Sequence, residues 1–395
     1  MELSVIVLFS IASLASLFMA WVIGAGSSGA TPFAPAVGAN AVSTMRAAFV
    51  VGLFGFAGAI VQGANVSRTV GRGLVGGVSI PATAVILVLL IGASLMAIGI
   101  KTGYPIATAF TVTGSVVGVG FARGGTPIWA KYLQIAAVWT LTPFVGGGLA
   151  YGIASVLPRA DVPEEYSVPV LAGLVGAVMA NVEFAYLGVG KTPGSLARFV
   201  GRSVHPEGLA VPVIFSVLFA GSIAGSVSMD IRRNEQGGLR RVLLALGSLV
   251  AFSAGGSQVG LALGPLVPLL GAGPTAAIPI TGILLFGGLG LLIGSWTGAP
   301  RMIKALAQDY SSLGPRRSIG ALIPSFIIAQ AAVFFGIPVS FNEIIVSAIV
   351  GSGAAAGGGE VSREKMGKTV LAWVGSLALA FGLSYGLFWI IDAVL

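Results

Sequence analysis

Apolar residues run through this chain in long blocks separated by short polar connections. The blocks lie at roughly 3–23, 47–66, 78–100, 104–122, 130–157, 167–190, 209–228, 241–270, 276–298, 318–337, 338–356 and 367–394. About 20 apolar residues in helical form span the hydrocarbon core of a bilayer, so the pattern predicts an all-α polytopic membrane protein with about 10–12 membrane segments. The short alternating segments of a membrane β-barrel are absent. The first block has no basic stretch before it, so it reads as a membrane segment and not as a cleaved signal.

Four blocks depart from plain helices. Residues 251–268, AFSAGGSQVGLALGPLVP, interleave Gly, Ser, Gln and Pro in an apolar run. That mixture predicts a helix that breaks inside the bilayer, where free backbone groups survive only if buried in protein or lining a cavity. Residues 24–40, GAGSSGATPFAPAVGAN, have the same character. The blocks 104–122 and 338–356 are short, carry a proline near the start, and predict re-entrant hairpins.

These features recur along the chain. Ser27, Ser28 and Pro35 match Ser257, Gln258 and Pro265 at an offset of 230 positions, as Gly52 and Gly58 match Gly282 and Gly288. Tyr104-Pro105-Ile106 matches Ile337-Pro338-Val339 at 233, and Trp139 matches Trp373 at 234. Small loop insertions produce such a drift. The chain is therefore expected to hold two inverted-topology repeats, residues 1–157 and 241–395, flanking a central section at 158–240. Paired halves with interrupted helices at matching positions point to a transporter with its site near the bilayer midplane.

Composition narrows the class further. Hydrophobic residues make up 56% of the chain and charged ones 9%, with a mean hydropathy of +0.99. Soluble domains carry about 25% charged residues. A multi-pass protein of the cell membrane follows, with the lipid bilayer as its surroundings. The net charge of +8 sits in short loops, which fits topology anchoring and not nucleic-acid binding. The acidic 159–166 connection, RADVPEEY, is expected on the outer face. With no cysteine, disulfides, Cys-metal sites and thiol catalysis are excluded. The single histidine, His205, cannot build a histidine metal site alone. No metal-ligand cluster or nucleophile–base pair is visible, so an enzyme is not expected.

The stretches AGSSGATPFAP (25–35), GGSQVGLALGP (255–265), YPIATAFTVTG (104–114) and IPVSFNEIIVS (337–347) occur in paired order. WTLTP at 139–143 and LLIGSWTGAPRMIKAL at 291–306 accompany them. Together they resemble the PiT family of inorganic phosphate transporters, whose members carry a GANDVAN-type motif early and a PVSTTH-type motif later in each half. The resemblance spans nearly the whole chain, and it implies a cation-coupled phosphate transporter fold. The motifs are altered here. The family's Asp, associated there with the coupling cation, is Ser28 in the first half and Gln258 in the second. The preceding Asn is Ser27 and Ser257. Ala107-Thr108-Ala109 and Ser340-Phe341-Asn342 stand for Ser-Thr-Thr, and Phe110 and Glu343 replace the histidines.

Thr108, Thr111, Ser340, Asn342 and Gln258 are the candidate substrate ligands, because an oxyanion at the midplane needs hydroxyl, amide and half-helix donors. A bonded hydroxyl that turns back onto its own helix is the competing role for each Thr. Ser27, Ser28, Thr31 and Ser257 are candidate neutral ligands for a coupling ion beside unwound backbone. Close helix packing by small residues is their alternative role. Glu343 and Glu183 are acids within apolar runs, and each is a candidate proton carrier. The expected activity is secondary active transport of inorganic phosphate by alternating access, coupled to Na⁺ or H⁺, with no other cofactor. The alternatives are a sulfate or other oxyanion permease of the same fold, and a non-transporting sensor or partner protein on that scaffold. A homodimer is expected by analogy with this architecture.

Overall fold

A computed structural model describes residues 2–159, 161–189, 192–204, 208–270, 278–311, 313–357 and 362–394. His205 lies outside the described residues. The first part of the chain forms α1 (Glu2–Gly26), α2 (Ala34–Gly38), α3 (Thr44–Gln62), α4 (Ala64–Arg72), α5 (Ala82–Thr102), α6 (Thr108–Ala122) and α7 (Trp129–Val156). A two-residue bridge joins β1 (Val75–Gly76) to β2 (Thr126–Pro127). The middle holds α8 (Glu164–Asn181), the hairpin β3 (Glu183–Val189) and β4 (Thr192–Ser195), α9 (Leu196–Val204) and α10 (Ala210–Arg233). The last part forms α11 (Glu235–Leu263), a 3-10 turn over Gly264–Leu269, α12 (Ile280–Thr297), α13 (Ala299–Gln308), α14 (Pro315–Phe335), α15 (Phe341–Ala354) and α16 (Arg363–Val394).

Among the described residues nine helices are long and apolar enough to cross a membrane, and α6 and α15 are shorter apolar helices. Large apolar side chains such as Val213, Val217 and Leu218 on α10, or Leu371 on α16, are exposed as lipid-facing residues are. The two repeats interlock. Helix α3 packs on α11 and α1 on α12, while α6 packs on α16 and α7 on α15. Glycine permits the closest of these approaches: a Cβ on Gly255 would sit 1.8 Å from the Gly55 carbonyl oxygen.

The repeats run in opposite directions. Helix α5 ends beside the first turn of α16, where Lys365 Nζ stands 4.2 Å from the Tyr104 ring centroid. Helix α14 instead ends beside α4, with the backbone of Gly336 against Thr69 and Asn65. Both helices close with a left-handed glycine, Gly103 (φ +75°) and Gly336 (φ +61°), a conformation that glycine adopts without a Cβ penalty. There the chain turns back into the protein as an extended lead-in, and α6 or α15 follows. Re-entry is as expected from the sequence, but α6 does not return to the same face. It follows α16 from the Tyr104–Lys365 contact to the Arg123–Asp392 ion pair at 4.0 Å.

The expected break over 251–268 lies later than the repeat implies. Helix α1 ends at Gly26 and the chain turns through 27–33, whereas α11 continues as α-helix through Gln258 to Leu263. Pro32 contributes to the difference. Its ring clashes with a helical carbonyl four residues back and disfavours the helical conformation at Thr31. Its repeat equivalent is Ala262, which leaves α11 helical until Gly264-Pro265.

The acidic 159–166 connection lies among basic side chains. Glu164 pairs with Arg316, and Glu165 with Arg232 at 3.6 Å. It therefore shares an end of the bundle with the basic loops around 232–241 and 316–317. Asp and Glu carry little weight in orienting membrane segments, and these ion pairs tie the connection to its basic neighbours without fixing its face.

Candidate functional site

Four segments meet inside the bundle: the end of α1, the C-terminal part of α11, and the lead-ins to α6 and α15. Hydrogen bonds tie them together directly. Ser27 Oγ donates to Gln258 Oε1 (3.2 Å), and Gln258 Nε2 donates to the Val339 carbonyl (2.7 Å). Asn342 Nδ2 donates to the carbonyls of Ile106 (2.7 Å) and Gly26 (3.2 Å). Ile106 and Val339 are repeat equivalents, so each lead-in offers one carbonyl to an amide. Outside this centre the indoles repeat the exchange. Trp139 on α7 donates to the Pro338 carbonyl at 2.8 Å, and Trp373 on α16 donates to Pro105 at 2.7 Å.

Thr108 opens α6 and is fully buried, and its hydroxyl has no partner among the described residues. The N-cap of α6 is Ala107, which supplies no side-chain acceptor, so the first-turn N–H groups face the centre uncapped. Helix α15 opens on Ser340, whose Oγ accepts from the Glu343 N–H at 3.4 Å. Two helix N-termini, each the positive end of a dipole, thus start from opposite repeats at one centre. Asn342 Oδ1 and Glu343 Oε2 in the first turn of α15, and Ser28 Oγ and Ser257 Oγ next in sequence to the bonded Ser27 and Gln258, are buried without partners among the described residues. Buried polar atoms are usually satisfied. A cluster of such atoms beside two helix starts can receive a small polar ligand.

Not every expected residue joins the centre in the same way. Thr111 turns its hydroxyl onto the Ala107 carbonyl (3.0 Å), and Thr31 turns onto Ser27 (3.1 Å), so both take the local role. Glu183 is not brought to the centre. It begins β3, and its carboxylate pairs with Arg198 at 3.1 Å. The repeat partner of Glu343 is Phe110, which stacks on Trp139 with ring centroids 3.9 Å apart.

A second buried polar group escaped the sequence reading. Gln330 Nε2 donates to Ser253 Oγ (2.6 Å), and Gln62 Nε2 donates to the Glu183 carbonyl (2.9 Å). Both amides line a cavity of about 500 Å³ between α3, α8, α14 and the β3–β4 hairpin. The signal was present, since Gln330 is an amide within an apolar run just as Gln258 is.

The profile of the phosphate transporter family matches residues 23–384. The chain belongs to that family. Among its relatives, a protein of Thermococcus kodakarensis provisionally named a phosphate permease is 28% identical over 396 residues, covering 95% of this chain and 96% of its own. Inorganic phosphate transporter 2-1, chloroplastic, of Arabidopsis thaliana is 24% identical, covering 96% of this chain and 71% of its own. A solved structure described as the sodium-dependent phosphate transporter superposes with a TM-score of 0.83 at 22% identity, covering 98% of this chain and all of its own. That likeness shows the shared fold. Membership in the phosphate transporter family makes this a multi-pass membrane transporter and not an enzyme.

Proposed function

We propose that the chain moves inorganic phosphate across the cell membrane by alternating access, with the two repeats closing in turn around the centre described above. The observation that carries this reading is the pair of helix starts at Thr108 and Ser340, with the buried Thr108 hydroxyl and Asn342 and Glu343 oxygens there lacking partners among the described residues. Interrupted-helix transporters aim half-helix N-termini at anionic substrate groups in this manner. Thr108, Ser28 and Ser257 are the donors to the anion. Phosphate is favoured over sulfate because it retains a proton to donate near neutrality. Asn342 Oδ1 and Glu343 Oε2 are buried acceptors able to receive it. Coupling is assigned to H⁺, carried by Glu343, an acid buried in the helix that opens the site.

Uptake of labelled phosphate and sulfate into proteoliposomes, with Na⁺ and H⁺ gradients varied separately, tests the reading. Phosphate accumulation driven by an inward proton gradient is the expected result. Accumulation of sulfate alone would reassign the substrate. No uptake of either anion under any gradient would remove transport and leave a sensor on this scaffold.

A further inference from the structure

Three carbonyls at the centre are of the kind that hold a coupling cation in interrupted-helix transporters. Such sites use unwound backbone and the C-terminal ends of half-helices. Gly26 ends α1, and Ile106 and Val339 lie in the extended lead-ins. In this chain each of the three accepts a hydrogen bond from a side-chain amide, Asn342 serving Gly26 and Ile106 and Gln258 serving Val339. An amide nitrogen presents hydrogens and no lone pair. Each amide takes one lone pair of its carbonyl and sets a partial positive charge beside it, which disfavours a sodium ion at the same place. Gln258 is fixed from its far side as well, since its Oε1 accepts from Ser27 Oγ. Turning it over would set that oxygen against the Val339 carbonyl and the nitrogen against the serine. Ser27, Gln258, Val339 and Asn342 are fully buried, which leaves little room for rearrangement. These three carbonyls, already engaged by amide hydrogens, do not make a sodium site.

We infer that Gln258 and Asn342 are positioning residues that cross-link the two repeats where a coupling cation would otherwise do so, so that the anion site is assembled without sodium. Gln258 joins α1, α11 and the lead-in to α15, and Asn342 joins α15, the end of α1 and the lead-in to α6. Both were expected from sequence to contact the substrate; their nitrogens are committed to backbone, and only Asn342 Oδ1 stays available to it. The inference rests on the phosphate reading above for its ligand, but one of its tests does not.

Equilibrium binding of labelled phosphate to the purified full chain, in sodium chloride and in choline chloride at equal ionic strength, gives the first test. The expected Kd is the same in both salts within about twofold, and a tightening of about tenfold or more in sodium overturns the inference. The variant Gln258→Glu places a second oxygen against the Val339 carbonyl. Its phosphate binding is expected to be about tenfold weaker in choline and to recover in sodium. A purely structural role would lower binding equally in both salts, and that result overturns the inference too. The melting temperature of the wild-type protein without phosphate provides the independent test, because a ligand of the folded state raises it. Equal melting in the two salts is expected, and a rise specific to sodium overturns the proposal. Absence of phosphate binding in both salts would remove the phosphate reading and leave the melting comparison to decide.

Discussion

Residues 25–35 and 255–265 occupy equivalent places in the two repeats, yet they do opposite things with their backbone. The first stretch gives up its helix at Gly26 and frees backbone there, and the second keeps its helix to Leu263 and projects Gln258 to the Ser27 hydroxyl and the Val339 carbonyl. A similar division separates the lead-ins. Ala107 leaves α6 uncapped where Ser340 caps α15, and Phe110 stacks on Trp139 where Glu343 keeps a buried acid. An inverted repeat supplies two copies of a scaffold, and unequal substitution then gives them unequal roles. Here the first copy contributes the Gly26 and Ile106 carbonyls, and the second contributes the two amides that bind backbone and the one buried acid.

The largest expected effect tests the acid that only the second copy has. Glu343→Gln removes the exchangeable proton while keeping nearly the same shape. Phosphate accumulation driven by a proton gradient is expected to fall by about tenfold or more, whereas phosphate-for-phosphate exchange continues, because exchange needs no net proton movement. Accumulation at the wild-type level would transfer the coupling role away from Glu343 and weaken the contrast with Phe110.

An intermediate effect tests the difference in helix length. Ala262→Pro places a proline at the repeat equivalent of Pro32, inside a helix that the native chain continues. The loss of a helical hydrogen bond and the ring clash are expected to cost about 3 kcal/mol, read as a lowered melting temperature. Pro32→Ala lies in a turn and is expected to change stability by no more than about 1 kcal/mol. Equal penalties for the two variants would mean that Pro32 does not set the break in α1.

Much of this arrangement was legible in the sequence. Apolar blocks about the length of a membrane helix, with offsets of 230 to 234 between matched residues, carried the all-α inverted repeat. Gln258 could be singled out because an amide in an apolar run needs partners. What those partners are could not be read, since the carbonyls of Gly26, Ile106 and Val339 belong to the backbone and have no letter of their own. The position of the break in α11 was misjudged for a related reason. Glycine and serine permit a break without requiring one, while Pro32, which disfavours helix at Thr31, has no counterpart at Ala262. Glu183 was set apart by tertiary placement, because only the fold brings Arg198 to it from across the hairpin.

The smallest expected effect probes a feature the two copies share. Trp139 and Trp373 each donate to the carbonyl of the lead-in proline of the other repeat, at 2.8 and 2.7 Å. Replacing either indole by Phe leaves that carbonyl without its donor and is expected to cost about 1 kcal/mol. If the asymmetry is confined to the centre, Trp139→Phe and Trp373→Phe should lower the melting temperature alike, each leaving sodium response and substrate preference unchanged. Trp139 also supports the Phe110 stack, which a phenyl ring can retain in part. Trp373 is the more buried of the two, and its replacement leaves a volume that the repeat partner does not. A larger penalty at Trp373 would then report packing, and a change in transport coupling from either variant would show that the functional difference between the repeats extends outward to their shared frame.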